Sequence, residues 1–416
     1  MNKRIKQYFI LIIVVFMFVG CKKLDATNSS QITNIPSSPT EKIVSTIPET
    51  TKAPELTTTP PVTPTPTILT PEITLELTPT NNELKAEKIL DNMTLEEKVG
   101  QLFFVRSRDD LAISDIETYH LGGYVLFAKD FEGKSFEEVK DTVETFQETS
   151  KIPMLIGVDE EGGVVNRLSK YPQFRSAPFL SPQALFEQGG FDLILSDTTE
   201  KTLLLKSLGI NINLTPVCDV STNPKDFIYS RSFGQNANET ATYVETVVTE
   251  MNRLNMGSTL KHFPGYGNNV DTHTGIAIDE RTYESFVEND FIPFQVGIES
   301  GAGSILVSHN IVKCMDEKLP ASLSPSVHKI LRDELDFGGV IMTDDLYMDA
   351  IKQYSNDEEA AILAIEAGND LLIATDFDVQ IPAVINAVNN NQITEERINE
   401  SVMRVLLWKL NLGIIS

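Results

Sequence analysis

The 416-residue chain, 41% hydrophobic and 22% charged, is long enough for one large domain or two ordinary ones. Its 59 acidic and 34 basic residues give a formal net charge of −25, which argues against a nucleic acid partner, because phosphate binding needs clustered Lys and Arg. Three cysteines are too few for a disulfide framework, and spacing alone leaves the pairing of Cys218 and Cys314 open. No CxxC or HExxH motif is present, so we expect neither a metal site nor a cofactor.

Residues 1–20 are typical of an export signal. Lys3, Arg4 and Lys6 precede an apolar run at 8–19, which is too short for a comfortable membrane span. The run ends in Gly20-Cys21, which resembles a bacterial lipoprotein signal with Cys21 as the lipidated first residue of the mature chain. An uncleaved N-terminal anchor is the alternative. We therefore expect an extracytoplasmic protein that is lipid-anchored to the cell membrane, or otherwise tethered there.

Residues 21–82 form a low-complexity segment rich in Thr, Pro and Ser. Such a composition cannot bury a core and favours extended conformations, so we predict a disordered stalk. Fully extended, it would reach roughly 180 Å. The predicted folded domain is 83–416.

From residue 83 onwards, short apolar runs alternate with longer amphipathic stretches. We predict eight strands, at 102–105, 123–127, 154–158, 210–214, 258–260, 304–307, 340–342 and 371–373. Most are continuously apolar, as expected for parallel strands that are buried on both faces. Eight such β-then-α units predict an α/β fold, a single (β/α)8 TIM-type barrel. A doubly wound open sheet is the alternative, although no GxGxxG motif follows the first strand.

Polar side chains follow several of these strands, and the carboxyl ends of barrel strands build active sites. We expect Asp159, Lys261, His262, His309 and Asp344 to converge on one face for that reason. They include acids, a base and imidazoles, which favours acid–base or nucleophilic chemistry.

Two further polar groups lie on loops. Arg231 follows the fourth strand and could clamp a substrate oxygen or pair with a surface acid. Asp271 and His273 lie on a loop bent by Pro264, Gly265 and Gly267, close enough in sequence for the carboxylate to orient the imidazole.

Several of these segments together resemble glycoside hydrolase family 3, in particular its bacterial β-N-acetylhexosaminidases. The segments are IGVDEEGGVVNRL, SRSFG, KHFPGYGNNVDTH, SILVSHNIV and GVIMTDDLYMDAI. The resemblance implies that Asp344 is the nucleophile and that His273, oriented by Asp271, is the general acid/base. It also implies that the sugar is bound by Asp159, Arg167, Arg231, Lys261 and His262.

The function implied by this resemblance is that of a retaining exo-β-N-acetylglucosaminidase. The partner would be an oligosaccharide with a terminal GlcNAc, from cell wall or chitin, and we expect a monomer. Alternatives within the family are a β-N-acetylglucosaminide phosphorylase and a β-glucosidase or β-xylosidase. The β-glucosidases and β-xylosidases of the family usually take their acid/base from a separate C-terminal domain. We expect no room for such a domain before Ser416. A sugar-binding lipoprotein without turnover is the non-enzymatic alternative.

Overall fold

The computed structural model describes residues 79–269 and 275–416, which belong to one compact unit, Leu75–Ser416. Ten strands are present in these ranges: β1 (Phe103–Arg106), β2 (Gly123–Leu126), β3 (Leu155–Val158), β4 (Ile212–Asn213), β5 (Gly257–Phe263), β6 (Ile278–Asp279), β7 (Ser304–Val307), β8 (Ile311–Val312), β9 (Val340–Thr343) and β10 (Leu372–Ala374). Eight of them form one parallel sheet in the order β10-β1-β2-β3-β4-β5-β7-β9. A parallel bridge between Met342 and Leu371 joins the last strand to the first. The predicted (β/α)8 barrel is therefore confirmed, and an open doubly wound sheet is excluded.

All eight predicted strands are present, but the fifth is longer than expected. The prediction ended it at residue 260, whereas β5 continues through Phe263 because Lys261 and Phe263 still pair with β7. Gly257 is the first residue of β5. A side chain there would lie 2.3 Å from Ile212 Cδ1, so the position needs glycine for close packing.

Helices surround the barrel. They are α1 (Asn81–Leu90), α2 (Leu95–Gln101), α3 (Ala112–Tyr119), α4 (Ala128–Phe131), α5 (Phe136–Thr149), α6 (Pro182–Ser207), α7 (Ala237–Arg253), α8 (Tyr283–Ser285), α9 (Phe291–Glu299), α10 (Pro325–Lys329), α11 (Asp349–Lys352), α12 (Asp357–Ala367), α13 (Phe377–Asn389) and α14 (Glu395–Asn411). Helix α6 is kinked at Gly190, and π-helical turns extend from α8 into α9 and from α10. Helix α2 begins at Leu95, where Thr94 and Glu97 form a reciprocal capping box.

Apolar side chains of the strands alternate between the barrel interior and the surrounding helices. Phe103 and Val105 of β1 pack in the outer cluster, whereas Phe104 belongs to the inner one. The Phe104 ring fills space left by Gly157, where a Cβ would lie 2.4 Å from it. Trp408 of α14 joins the inner cluster at the start of β5. The interior of the barrel is thus filled by side chains.

The predicted signal peptide, the lipidation site Cys21 and nearly all of the predicted stalk lie outside the described residues. Helix α1 begins at Asn81 with Thr80 as its N-cap, next to the predicted domain boundary. None of the described helices is long and apolar enough to cross a membrane.

Candidate active site

A cavity of about 290 Å³ lies at the carboxyl ends of the barrel strands. Six of the residues singled out from the sequence contribute to its lining: Asp159, Arg167, Arg231, Lys261, His262 and Asp344. The structure therefore brings together side chains from four different strands and loops. Of the other candidates, Asp271 and His273 lie outside the described residues, and His309 does not line the cavity.

Lys261 is the central cation of this cavity. Its Nζ lies 2.7 Å from Asp159 Oδ1 and 2.7 Å from Glu161 Oε1, and its side chain is only 2% exposed. Burial alone would lower the pKa of Lys261, but the two carboxylates outweigh it and raise that pKa. The amine is therefore held charged, as a fixed donor towards any ligand oxygen in the cavity.

Glu161 is a member of this charged cluster that was not predicted from the sequence. Its carboxylate accepts hydrogen bonds from Arg231 as well as from Lys261, and its side chain is 3% exposed. Burial opposes ionisation, yet the charges of Arg231 and Lys261 hold the pKa of Glu161 well below its usual range. The sequence feature that could have identified Glu161 is its position two residues after Asp159, in the loop that follows β3.

The four charges of Asp159, Glu161, Arg231 and Lys261 balance one another. Burying an unpaired charge is costly, whereas paired and hydrogen-bonded charges can be retained in a dry site. The cluster is thus a rigid array of donors and acceptors, fixed before any ligand arrives.

His262 is fixed in one tautomer by its two neighbours. An Arg231 NH2 proton points at His262 Nε2, 3.1 Å away, so Nε2 must accept. His262 Nδ1 lies 2.7 Å from Asp219 Oδ2 and therefore donates to that carboxylate. Asp219 also accepts from the backbone amides of His262 and Tyr266. Asp219 is thus a second residue of the site that the sequence did not single out, although it follows β4.

Asp344 follows β9 directly and lines the cavity. Its backbone amide donates to Val307 O at 3.0 Å, and its Oδ1 accepts from the Asp345 amide at 2.8 Å. Asp345 in turn is paired with Arg106, which lies over the Phe127 ring. The segment that carries Asp344 is therefore fixed by its neighbours on β7 and β1.

His309 does not contribute to the lining of the cavity, contrary to the expected convergence. It is fully buried, its Nε2 donates to the Asp345 carbonyl at 3.0 Å, and its Nδ1 lies 2.7 Å from Ser322 Oγ. It lies two residues after the end of β7 and contacts the Asp344–Asp345 segment through the Asp345 carbonyl. His309 therefore supports that segment from inside the protein.

Arg167 lies at the edge of the cavity. Its NH2 is 3.6 Å from Asp159 Oδ2, and its guanidinium is 5.5 Å from the Phe127 ring centroid. The buried Glu160 carboxylate accepts the backbone amides of Arg167 and Leu168, at 2.7 and 2.8 Å. Glu160 therefore shapes the loop after β3 that presents both Asp159 and Arg167.

Within residues 79–269 and 275–416, no group of three His, Cys, Asp or Glu side chains could hold a metal ion. Cys218 is buried and Cys314 is exposed, and both are free thiols.

Comparisons with known proteins agree on one family. Residues 94–407 match the glycosyl hydrolase family 3 N terminal domain. The chain is 31% identical over 271 residues to a β-hexosaminidase of Nitrosomonas eutropha, a match that covers 62% of this chain and 75% of that protein.

Solved structures give the same picture. A family 3 β-N-acetylglucosaminidase from Paenibacillus sp. str. FPU-7 is similar with a TM-score of 0.72 and 30% identity, over 77% of this chain and 63% of that one. This chain thus spans less than two thirds of that protein. A β-N-acetylhexosaminidase from Beutenbergia cavernae is similar with a TM-score of 0.67 and 25% identity, over 76% of this chain and 98% of that one.

Proposed function

The chain belongs to glycosyl hydrolase family 3, and on that premise we propose that it is a retaining exo-β-N-acetylglucosaminidase. Its substrates would be cell-wall-derived or chitin-type oligosaccharides with a terminal β-linked GlcNAc. The observation that carries this proposal is the position of Asp344 in a small polar cavity beside the Asp159–Glu161–Arg231–Lys261 cluster. The similarity to proteins named β-hexosaminidase and β-N-acetylglucosaminidase supports the choice of sugar.

In the first step, the Asp344 carboxylate attacks the anomeric carbon and the bond to the glycosidic oxygen breaks. His273 donates a proton to that oxygen, and the leaving alcohol departs. The products are a glycosyl ester on Asp344 and a neutral imidazole. Retaining glycosidases usually use two carboxyl groups, one as the nucleophile and one as the acid/base. In this proposal the His273 imidazole takes the place of the second carboxyl group.

In the second step, the neutral His273 imidazole accepts a proton from water as that water attacks the same carbon. The ester bond to Asp344 breaks, the sugar is released with retained configuration, and the imidazole is again protonated. A pKa near 6.5 in the free side chain suits both directions of proton transfer near neutral pH. Asp271 orients the ring.

The charged cluster recognises the sugar. Lys261 and Arg231 present donors and Asp159 presents an acceptor, which together match the hydroxyl groups of a terminal sugar. The Arg167 guanidinium adds a further donor next to Asp159, and His262, which lines the same cavity, holds the Arg231 guanidinium in place. Because these groups are already fixed by one another, little order is lost when the sugar binds.

The enzyme would act outside the cytoplasm, anchored through a lipid on Cys21 and held on a Thr/Pro/Ser-rich stalk. This part of the proposal rests on the sequence of residues 1–82. Replacing Cys21 by Ala should move the protein from the membrane fraction to the soluble fraction. Membrane retention of that variant would favour an uncleaved N-terminal anchor.

The decisive experiment is a screen of aryl β-glycosides of GlcNAc, Glc and Xyl, each with and without phosphate. We expect GlcNAc release to dominate and to be independent of phosphate. Formation of GlcNAc-1-phosphate would identify a phosphorylase, and preference for Glc or Xyl would overturn the substrate assignment. Binding of GlcNAc without turnover would indicate a sugar-binding protein. The Asp344→Asn variant should lose turnover, and near-normal turnover would refute the nucleophile assignment.

A further inference from the structure

Helix α6 carries two polar side chains, Gln183 and Lys201, that no step of the proposed mechanism uses. They lie on opposite sides of the kink at Gly190. Each donates hydrogen bonds to backbone carbonyls at the Glu161–Arg231 ion pair. The helix therefore contacts the chain at both partners of the pair that joins the loops after β3 and β4.

Gln183 holds the turn that carries Arg231. Its Nε2 donates to the Tyr229 carbonyl at 2.6 Å and to the Ser232 carbonyl at 3.1 Å, and these two residues flank Arg231 in the chain. The turn continues to Gly234, where φ is 78° and a Cβ would lie 2.8 Å from Gln183 Cδ. One side chain thus fixes the turn from which the Arg231 guanidinium extends.

Lys201 holds the other partner of the pair. Its Nζ donates to the Glu161 carbonyl at 3.1 Å and is paired with Asp197, one helical turn earlier, at 2.9 Å. Both side chains of this ion pair are buried. The Glu161 amide is bound as well, because it donates to the Val165 carbonyl at 3.1 Å. The backbone of Glu161 is thus fixed at both of its polar groups.

Glu161 lies between α6 and the proposed sugar cavity. It lines a separate pocket of about 20 Å³ together with Asp197 and Lys201, whereas Arg231 and Lys261 line the sugar cavity. The Glu161 carboxylate therefore connects α6 to two cations of that cavity. Hydrogen bonds in a buried network support one another, so a change on α6 can reach these cations through the network.

We propose that Gln183 and Lys201 are positioning residues for sugar binding. By fixing the chain on both sides of Arg231 and at Glu161, they set the direction in which the Arg231 and Lys261 cations meet the sugar hydroxyls. Groups that are held in place before binding lose little order when the ligand arrives, so loosening them weakens binding. The inference rests on the proposed function and extends it to residues that do not line the sugar cavity.

The test uses Gln183→Met, which keeps the length of the side chain and removes both of its hydrogen bonds to the Arg231 turn. Steady-state kinetics with an aryl β-glycoside of GlcNAc, and inhibition of that reaction by free GlcNAc, report on sugar binding. We expect KM and the inhibition constant of GlcNAc to rise by about tenfold, while kcat stays within about threefold. The reason is that a misplaced cation weakens binding of the ground state and the transition state alike.

Gln147→Met is the matched control. Gln147 is also half-buried on a helix, α5, and its side chain also makes two hydrogen bonds to backbone groups, the amide and the carbonyl of Met154, at 2.7 and 3.0 Å. Met154 lies just before β3, at the opposite end of the barrel from the cavity. The control variant should lose about as much stability to urea as Gln183→Met and should leave KM, kcat and the inhibition constant unchanged.

Lys201 needs a double variant, because its substitution alone would leave Asp197 buried without a partner. Asp197→Leu combined with Lys201→Met exchanges the ion pair for apolar side chains, a change that is often neutral for stability. The double variant loses the hydrogen bond to the Glu161 carbonyl, so the inhibition constant of GlcNAc should again rise while kcat changes little. It also decides the question if Gln183→Met fails to fold.

An unchanged KM and inhibition constant in either variant would overturn the positioning role of the residue that was changed. An equal fall of kcat in Gln183→Met and Gln147→Met would also overturn it, because that pattern reports only a less stable protein. Failure of the proposed function is distinguishable, because the wild-type protein would then release no GlcNAc from the aryl glycoside.

Discussion

The Glu161 carboxylate accepts two hydrogen bonds from the Arg231 guanidinium, Nε to Oε2 at 3.0 Å and NH2 to Oε1 at 2.7 Å. This bidentate pair joins the loop after β3 to the loop after β4, and Lys261 extends it to β5. Bidentate geometry fixes orientation as well as distance. The Glu161 carboxylate thus holds together the loop after β3, the loop after β4 and strand β5 in the proposed sugar site.

Glu161→Gln should damage both stability and substrate binding. The substitution removes a carboxylate that pairs with both Lys261 and Arg231 and so leaves excess positive charge buried. The buried charge should lower the free energy of unfolding by about 3 kcal/mol or more. Misplacement of two sugar-binding cations should lower kcat/KM by about 10²-fold. Urea denaturation and steady-state kinetics measure the two effects.

The control for this prediction is Glu245→Gln, an exposed position on α7. A surface substitution of this kind should change the free energy of unfolding by less than about 0.5 kcal/mol. A Glu161→Gln variant that resembles this control in stability and KM would contradict the role given to Glu161.

Asp219→Asn should disturb the His262 tautomer. Asp219 accepts three hydrogen bonds, from His262 Nδ1, His262 N and Tyr266 N, whereas an amide in its place turns an NH2 towards at least one of these donors. Loss of one charge-assisted bond, about 1.5–3 kcal/mol, should raise KM by roughly 10- to 100-fold. Nitrogen NMR of the wild-type ring should show protonated Nδ1 and unprotonated Nε2. An unaltered ring spectrum and KM in the variant would contradict this assignment.

His273→Ala should affect substrates according to their leaving groups. Without a proton donor, cleavage of an unactivated disaccharide should slow by about 10²- to 10⁴-fold, and cleavage of an activated aryl glycoside should slow far less. The measurement is kcat/KM over a series of leaving groups of graded pKa, with the wild-type protein as the reference. Equal loss across the series would argue against the acid role.

Lys409 should make the stability of the barrel depend on pH. It is fully buried on α14, its Nζ donates to Gln101 Oε1 at 2.7 Å, and burial lowers its pKa to about 7. The unfolded chain, with a lysine pKa of about 10.4, binds more protons above pH 7 than the folded chain does. The wild-type free energy of unfolding should therefore gain about 1.4 kcal/mol per pH unit from this group between pH 7 and about 10.

Lys409→Met removes the buried charge and its pH dependence. The variant should exceed the wild type in stability most clearly at pH 7 and below, and the gap should narrow as pH rises towards 10. Urea denaturation of both proteins between pH 6 and 9.5 measures this gap. A gap that is constant over that range would show that Lys409 has an ordinary pKa.

Much of the fold followed from sequence, because its signals are local. Continuous apolar runs of strand length, separated by amphipathic stretches, specify a parallel sheet that is covered on both faces. Helices such as α5 and α12 occupy the longer stretches between the predicted strands, as the alternating pattern indicated. The length of β5 was underestimated because Lys261 and His262 are polar, whereas the pairing of Lys261 and Phe263 with β7 continues the strand past residue 260.

The sequence alone determined which segments carry chemistry, since Asp159, Lys261, His262 and Asp344 each follow or end an apolar strand. Only the tertiary structure decided what each side chain does. It paired Glu161 with Arg231 and Lys261, placed the Asp219 carboxylate against His262 Nδ1 and buried His309 next to Asp345. The reason is physical: a polar residue far away in sequence becomes a partner only when burial removes water and makes an unpaired charge costly. The spacing of apolar residues along the chain does not indicate those pairings.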